Sequence, residues 1–538
     1  MRFIFLTYFF CLSVSATPFK GSKFVVAGPS SHSPFVSKMI YNKGGNVVDM
    51  AIAVAFALCV THPYYVSLGS GGFALVKINS LTKSLDFRET APHKMSSDFF
   101  EKNNFSSQTG AFSIGVPGFV AGMMALHKKY GKLSWSELLA PALFLAEKGY
   151  PVSGDWLNFT NQSKKQFNLA GKSVFFKKGK SYSLNENFKQ KSLATAFKLL
   201  QKKGGDAFYR GDIGKDVVSS IQKEKGLLSL QDLEKYKVRW LKPLVFKFRS
   251  YEISSMPLPS SGGIILARAF RLIEKQKLYK KTLGSFDETH LLAEIMSLAF
   301  LPRYLMGDFE FSNFKPELYL SDKNLKELSD KISLEKSVKM PLIKESGETT
   351  HFSIIDKKGN TVAMTLTLNG IYGSKLVSSR YGVVLNNQID DFTTLMNQAN
   401  QYGLIQGENN LIQGGKRPLS SMSPTLVEKN KQTLLSLGGA GGPAIITGVL
   451  QTIYRYLVHN LNLEEALYYP RIHHQFLPRE LFVEDKRFSP ERIVSLKMKG
   501  HKIKFTNHVS RVFAVARNKK GELLAKGDFR EMSSAGGL

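Results

Sequence analysis

The most constraining feature of this chain is a pair of alternating segments joined by a short turn. From Thr349 the sequence reads TTHFSIID, then KKGN, then TVAMTLTLN. Val362, Met364, Leu366 and Leu368 alternate with Thr361, Ala363, Thr365 and Thr367, the period of a half-buried strand. Lys357 to Asn360 supply the turn. If Asp356 faces Thr361, Thr349 lies opposite Leu368, beside Thr367 and Asn369. A slip of one residue puts it opposite Thr367 itself. In either register two hydroxyls and an amide collect at one strand end. Threonine favours strands on its own account, so the hairpin alone names no chemistry.

What precedes the hairpin differs in kind. Ser333 to Gly347 reads SLEKSVKMPLIKESG, charged, weakly periodic and carrying a proline, and it predicts an exposed connection that stops where the strand begins. Elsewhere helix and strand patterns alternate without an internal repeat. Val47 to Val60 is apolar except for Asp49, is capped by Asn46 and ends at His62-Pro63, which predicts a buried helix. Phe24–Ala27 and Gly72–Ile78 read as strands beside it. Ser134 and Glu137 form a capping box opening a helix to Lys148, closed by Gly149 and Pro151. The mixture predicts an α/β or α+β fold.

Composition removes several function classes. With 538 residues, 43% hydrophobic and 12% aromatic, the chain can bury a large core and is not disordered. Met1 to Ala16 carries one early arginine, an apolar run and small residues at its end, which predicts a secretory signal cut after Ala16. Tyr8-Phe9-Phe10 before Cys11 lacks the small residue that lipid-modified cysteines follow. The expected location is therefore export, periplasmic or fully secreted. Both the signal and the 47–60 helix are too short for a membrane span. Removal of Cys11 leaves Cys59 as the one thiol, so no internal disulfide forms and cysteine-based metal sites are not expected. No HExxH pattern occurs, and neither a metal nor a cofactor is expected. The net charge of +30 is spread over scattered lysines without a basic arm or a nucleic-acid fingerprint. It predicts a basic surface and no nucleic-acid partner.

Three further clusters carry polar groups at loop positions. Asn386-Asn387-Gln388-Ile389-Asp390-Asp391-Phe392 follows an apolar run and can hold an ammonium or cap a turn. Arg417-Pro418-Leu419-Ser420-Ser421-Met422-Ser423-Pro424 offers adjacent hydroxyls for a carboxylate or a tight turn. Thr433–Leu437, the run Gly438 to Gly442, and Ala444–Leu461 read as strand, glycine loop and helix. That loop imitates a dinucleotide fingerprint, but Pro443 sits inside it and no ribose-binding acid follows. An oxyanion hole is the better use of its N–H groups.

Together these motifs resemble γ-glutamyltransferase (γ-glutamyltranspeptidase). The first half agrees, with Gly44-Gly45-Asn46-x-x-Asp49, Leu85 to Pro92 (LDFRETAP), Gly115-Val116-Pro117-Gly118 and Met256-Pro257 to Gly263. The resemblance covers essentially the whole chain after residue 16. It implies an N-terminal-nucleophile hydrolase, an α+β four-layer αββα sandwich. It also implies a precursor that cuts itself between Glu348 and Thr349, giving a large subunit of residues 17–348 and a small subunit of 349–538 that stay together as one interwoven globule.

The roles implied by the resemblance are residue-specific. Thr349 is the nucleophile, and its α-amine, freed by the cut and titrating near pKa ~8, is the base. Thr367 is the second threonine beside it, and Gly441 and Gly442 form the oxyanion hole. Arg88, Ser420 and Ser421 hold the glutamyl α-carboxylate. Asn369, Gln388 and Asp391 surround the α-ammonium, and Tyr402 belongs to a lid loop. The implied activity is cleavage of the γ-glutamyl amide of glutathione and related small molecules, with transfer to water or an acceptor amine. Glu348 at the cut and Pro443 after the two glycines depart from the usual pattern, and His473-His474 reads as structural rather than as a metal pair. Two alternatives stand beside this one. The first is a related threonine acylase acting on cephalosporins or poly-γ-glutamate. The second is an unprocessed, inactive surface or binding protein.

Overall fold

The computed structural model describes residues 17–337, 349–477 and 479–538. The expected signal segment, Val338–Gly347 of the charged connection, and Glu348 lie outside the described residues.

Two seven-stranded antiparallel sheets form the centre. The first runs, edge to edge, Ser534–Gly537, Phe24–Gly28, Thr350–Asp356, Thr361–Thr367, Gly71–Ile78, Leu81–Asp86, Arg239–Leu241. The second runs Phe19–Gly21, Leu523–Lys526, Arg511–Arg517, Gln432–Ala440, Thr425–Lys429, Tyr251–Ser255, Leu244–Phe248. Each sheet mixes strands from before residue 337 with strands from after residue 349, so neither half of the chain completes a sheet alone.

Helices cover the outer faces. Val47–Thr61 is buried along its whole length and packs on the first sheet. Its apolar residues surround it on all sides, which only a core helix tolerates. Each fully buried Val, Ile or Leu there contributes about 1.5–3 kcal/mol. The Asn46 side chain accepts from the Val48 and Asp49 N–H groups, and Asp49 returns the bond to the Asn46 N–H, which starts the helix where the sequence signals it. Gly262–Lys275 and Ala444–Val458 pack on the second sheet. The inner faces of the sheets meet through Val25, Ala27, Ile355, Phe513 and Val515. The layers are therefore α, β, β, α, the expected sandwich.

The hairpin register corrects one expectation. Ile355 pairs with Thr361 and Thr350 with Leu366, one residue away from the Asp356–Thr361 pairing. The reason lies in the turn. Asp356 N–H donates to the Asn360 carbonyl at 3.0 Å, so the loop holds three residues, and Gly359 takes the left-handed conformation at φ 86°. Continuing this register puts Thr349 opposite Thr367. Residues 349, 351, 353 and 355 then share one face with 361, 363, 365 and 367, turned toward the second sheet.

That inner face carries a polar column. His351 Nδ1 lies 2.9 Å from Thr365 Oγ1, His351 Nε2 lies 2.9 Å from Ser353 Oγ, and Ser436 Oγ of the second sheet donates to Ser353 at 3.0 Å. Burial pushes the imidazole down to about 3, so it is neutral. The column explains a second correction. Gly438 and Gly439 belong to the strand Gln432–Ala440 and not to a loop. A Cβ on Gly438 would lie 2.3 Å from His351 Nδ1, so the glycine is there to admit the ring. The helix that follows ends at Val458, short of Leu461.

Candidate active site

The open end of the hairpin faces a pocket between the two sheets. It is lined by Thr349, Thr367, Asn369, Arg88, Gln388, Asp391, Tyr402, Ser420, Ser421 and Gly442, with Arg303 and an apolar wall that includes Leu404, Leu419, Met422 and Ile445. Every catalytic and substrate-binding residue singled out from the sequence lines it except Gly441, which lies one residue back in the loop, while Glu348 of the expected cut lies outside the described residues.

Local structure explains the convergence. Thr367 ends its strand, and its Oγ1 accepts the Asn369 N–H at 2.8 Å, holding Asn369 at φ 79°. The Asn369 amide donates to the Asn387 carbonyl at 3.0 Å. Asn386 ties the next loop down, since its Oδ1 accepts from the Gly115 N–H and its Nδ2 donates to the Gly69 and Gly115 carbonyls, each at 2.9 Å. Asn387 bonds Gly370 and Gln108. These two asparagines build the scaffold, and the short turn Gln388–Asp391 that follows delivers Gln388 and Asp391 to the pocket.

Arg88 and Asp391 form a buried pair. Arg88 Nη2 donates to Asp391 Oδ2 at 2.5 Å, and Gln388 Nε2 donates to the same oxygen at 2.7 Å. Arg88 Nε is held by the Pro418 carbonyl at 2.9 Å, while its backbone N–H reaches Asp86. Asp86 is itself paired to Arg417 at 2.5 Å, so the guanidinium sits on a rigid support. Among the described residues, Arg88 Nη1 and Gln388 Oε1 are buried without a hydrogen-bond partner, one a donor and the other an acceptor. Burial holds the Asp391 carboxyl above its ordinary range, and the Arg88 charge opposes that rise.

Ser420 and Ser421 are positioned from the second sheet's side. Ser420 N–H donates to the Pro259 carbonyl at 2.8 Å, and the Ser261 N–H and hydroxyl both reach the Ser420 carbonyl at 2.8 Å. The 256–263 motif thus acts by clamping the serine loop. Gly441 and Gly442 carry φ of 119° and 54°, conformations that exclude ordinary side chains. A Cβ on Gly442 would also meet the Tyr402 ring at 2.7 Å. Tyr402 packs over this glycine and donates to the Asn369 carbonyl and side-chain oxygens at 2.7 and 2.6 Å. Pro443 starts the following helix with φ −64° and supplies no N–H of its own. The imidazole of His473 meets Thr447 through Nδ1 and Gln475 through Nε2.

Sequence reasoning missed Arg303 and the groups behind it. Arg303 donates to Gln406 at 2.8 Å and to Ser421 Oγ at 3.4 Å. Burial lowers its pKa to about 10, so it remains charged at neutral pH. An arginine inside the apolar run Phe300-Leu301-Pro302-Arg303-Tyr304 was the available signal. Glu89 lies inside the Leu85–Pro92 motif. It is fully buried, with neither carboxyl oxygen hydrogen-bonded among the described residues, and burial pushes it up to about 8 against the opposing pull of Arg88. Near neutral pH Glu89 is therefore mostly a neutral acid standing beside the Arg88 guanidinium.

Glu89 also sets a pH dependence. Its folded pKa of about 8 lies above the ordinary 4.5, so its contribution to stability is present below about pH 4.5 and is lost as pH rises through 8. Glu89→Gln keeps the shape without the titration. Its unfolding temperature relative to wild type should climb by a few degrees between pH 5 and pH 8.5. A constant difference across that range would refute the assignment.

The αββα sandwich with a threonine at the start of a central strand, turned inward at the pocket, defines an N-terminal-nucleophile hydrolase. The gamma-glutamyltranspeptidase family profile matches residues 36–538, and the chain belongs to that family. It is 35% identical to the glutathione hydrolase proenzyme of Escherichia coli strain K12, over 96% of this chain and 92% of the relative. It is 37% identical to the glutathione hydrolase proenzyme of Pseudomonas aeruginosa, over 86% of this chain and 84% of that one. Among solved structures, γ-glutamyltranspeptidase from Pseudomonas nitroreducens complexed with L-DON aligns at TM-score 0.56 and 32% identity, covering 60% of this chain and 96% of the other. Cephalosporin acylase from Bacillus halodurans aligns at TM-score 0.87 over 100% and 99% of the two chains, at 23% identity, a likeness of fold alone.

Proposed function

We propose that this chain is a self-processing γ-glutamyltransferase and glutathione hydrolase that acts through a γ-glutamyl ester of Thr349. The observation that carries the reading is the buried Arg88–Asp391 pair beside Thr349 in one pocket. A glutamyl head group is a zwitterion, with carboxylate and ammonium on one carbon. A side-by-side guanidinium and carboxylate complement both charges at once. Arg88 Nη1 and the Ser420 and Ser421 hydroxyls take the carboxylate. Asp391, Gln388 Oε1 and Asn369 take the ammonium.

Processing comes first. Thr349 Oγ1 attacks the carbonyl of Glu348, the peptide shifts from nitrogen to oxygen, and water cleaves the ester, leaving a free α-amine on Thr349. The fragments 17–348 and 349–538 stay joined because both sheets take strands from each. In turnover the α-amine accepts the hydroxyl proton as Oγ1 attacks the γ-carbonyl. The Gly441 and Gly442 N–H groups stabilise the oxyanion, an effect worth about 3–4 kcal/mol per donor in such sites. The C–N bond then breaks, and the leaving amine takes the proton. Water or an acceptor amine resolves the ester and restores the hydroxyl. Tyr402 closes the pocket over Gly442. Export follows the Met1–Ala16 pattern, and no helix of the described residues is long and apolar enough to cross a membrane.

A denaturing gel with N-terminal sequencing of the purified protein should give two bands, the smaller beginning Thr-Thr-His-Phe-Ser. Rates on γ-glutamyl and glutaryl anilides should favour the γ-glutamyl compound by about 100-fold, because the glutaryl group brings no ammonium to Asp391. A single intact band favours the inactive-precursor reading, and a preference for glutaryl favours the acylase.

A further inference from the structure

Away from the pocket, His290, Glu294 and His501 bring three metal-binding side chains together, with ligand atoms within 4.8 Å of one another. The geometry points to a divalent transition-metal site of the zinc class, formed by these three residues and bridging the two halves of the chain.

The site is built from ordinary local structure. His290 and Glu294 are four residues apart on the helix Phe286–Phe300 and so share one face. His501 comes from the turn after the helix Pro490–Met498. Gly500 there takes φ 91°, and the His501 N–H returns to the Leu496 carbonyl at 3.1 Å, which folds the imidazole back against the first helix. All three side chains are buried. His290 Nδ1 and His501 Nε2 lie 2.8 Å apart. Two nitrogens bound to one tetrahedral zinc at about 2.05 Å each sit about 3.3 Å apart, so the imidazoles must part by about half an ångström, and the carboxylate, within 4.8 Å of them, must close in.

The outer contacts match a metal site. His290 Nε2 lies 2.7 Å from the Ser333 carbonyl, which fixes the proton on Nε2 and leaves the Nδ1 lone pair aimed at the cluster. A carbonyl behind the distal N–H is the usual support of a metal-bound histidine. His501 supplies the second argument. Its Nδ1 lies 3.8 Å from Glu294 Oε1, so the carboxylate stands against the same imidazole that meets His290. Two imidazoles and one carboxylate are a donor set suited to zinc, with water completing four-coordination. Lys499 anchors this corner, bonding the Leu334 carbonyl and lying 3.5 Å from Asp287, so its charge is partly balanced.

The consequence concerns assembly. His290 and Glu294 precede the proposed cut and His501 follows it, so the ion would staple the two subunits near the segment that leads to the cut. This staple rests on the processing reading, whereas metal binding does not. The test is to strip the purified full-length protein with a chelator, dialyse it against Zn2+, and measure bound zinc by mass spectrometry. Wild type should hold about one Zn2+ per chain, and Co2+ in its place should give the visible bands of a tetrahedral site. His290→Gln and His501→Gln should each weaken binding by about 100-fold or more. Zinc should also raise the urea concentration at which the fragments separate in wild type and leave it unchanged in His501→Gln. Wild-type protein without stoichiometric zinc, or variants that bind it equally, would overturn the site and leave a hydrogen-bonded histidine pair. A chain that binds zinc but never splits would overturn the staple alone.

Discussion

Thr349→Ala should leave the chain as one uncut polypeptide and lower γ-glutamyl hydrolysis at least about 10^4-fold. One atom carries both losses. Oγ1 is the proposed nucleophile of processing and of turnover, and without processing the α-amine that serves as its base never forms. The substitution removes a hydroxyl and a methyl from a side chain at the start of a strand, at a cost of about 1 kcal/mol, so the fold should survive. Thr349→Ser keeps the oxygen and should both cut itself and turn over, more slowly. Thr367→Ala offers a graded comparison. It leaves the Asn369 N–H without the 2.8 Å acceptor that sets its left-handed turn, and activity should fall about 10–100-fold with processing retained. The assay is mass spectrometry of the purified variants beside their initial rates. Cutting and turnover by the alanine variant would move the nucleophile elsewhere.

Much of the site was legible because its residues lie in punctuated loops. Gln388, Asp391, Ser420 and Ser421 sit beside proline or amide clusters, and such clusters mark chain segments shaped for a purpose other than regular structure, whereas Arg88 stood out only through the family resemblance. The buried helix at 47–61 was legible for the opposite reason, an apolar run with a capping box at one end. The hairpin register was not. It depended on whether Gly359 closed a three-residue or a four-residue turn, a choice between φ values that the letters KKGN leave open. The glycines at 438 and 439 misled because their reason is spatial: the His351 ring occupies the space of a side chain, and His351 lies far away in sequence. Arg303 and Gln406 were hidden likewise, since they touch each other across about a hundred positions. The proposed metal cluster went unread, because His501 lies 211 residues from His290 and the sequence pattern led to no metal being expected.

Asp391→Asn should separate recognition from chemistry. Asp391 Oδ2 receives Arg88 and Gln388 together, and its charge is the one proposed to hold the substrate ammonium. A charge-assisted hydrogen bond contributes about 1.5–3 kcal/mol, so KM for a γ-glutamyl anilide should rise about 10–100-fold, with kcat changed much less. The preference over the glutaryl anilide should collapse by a similar factor, because that compound never used Asp391. The variant also leaves the Arg88 charge buried without its counterion. Breaking such a pair from one side costs about 3–5 kcal/mol, and the unfolding temperature should drop. Arg88→Gln alone should destabilise less, since the acid it strands can take up a proton. The double variant Arg88→Gln/Asp391→Asn removes both charges and should regain most of the stability without regaining affinity, a non-additivity that only a direct pair produces. Additive stability losses, or glutaryl discrimination untouched by Asp391→Asn, would show that the pair is architecture and that the substrate ammonium is held elsewhere.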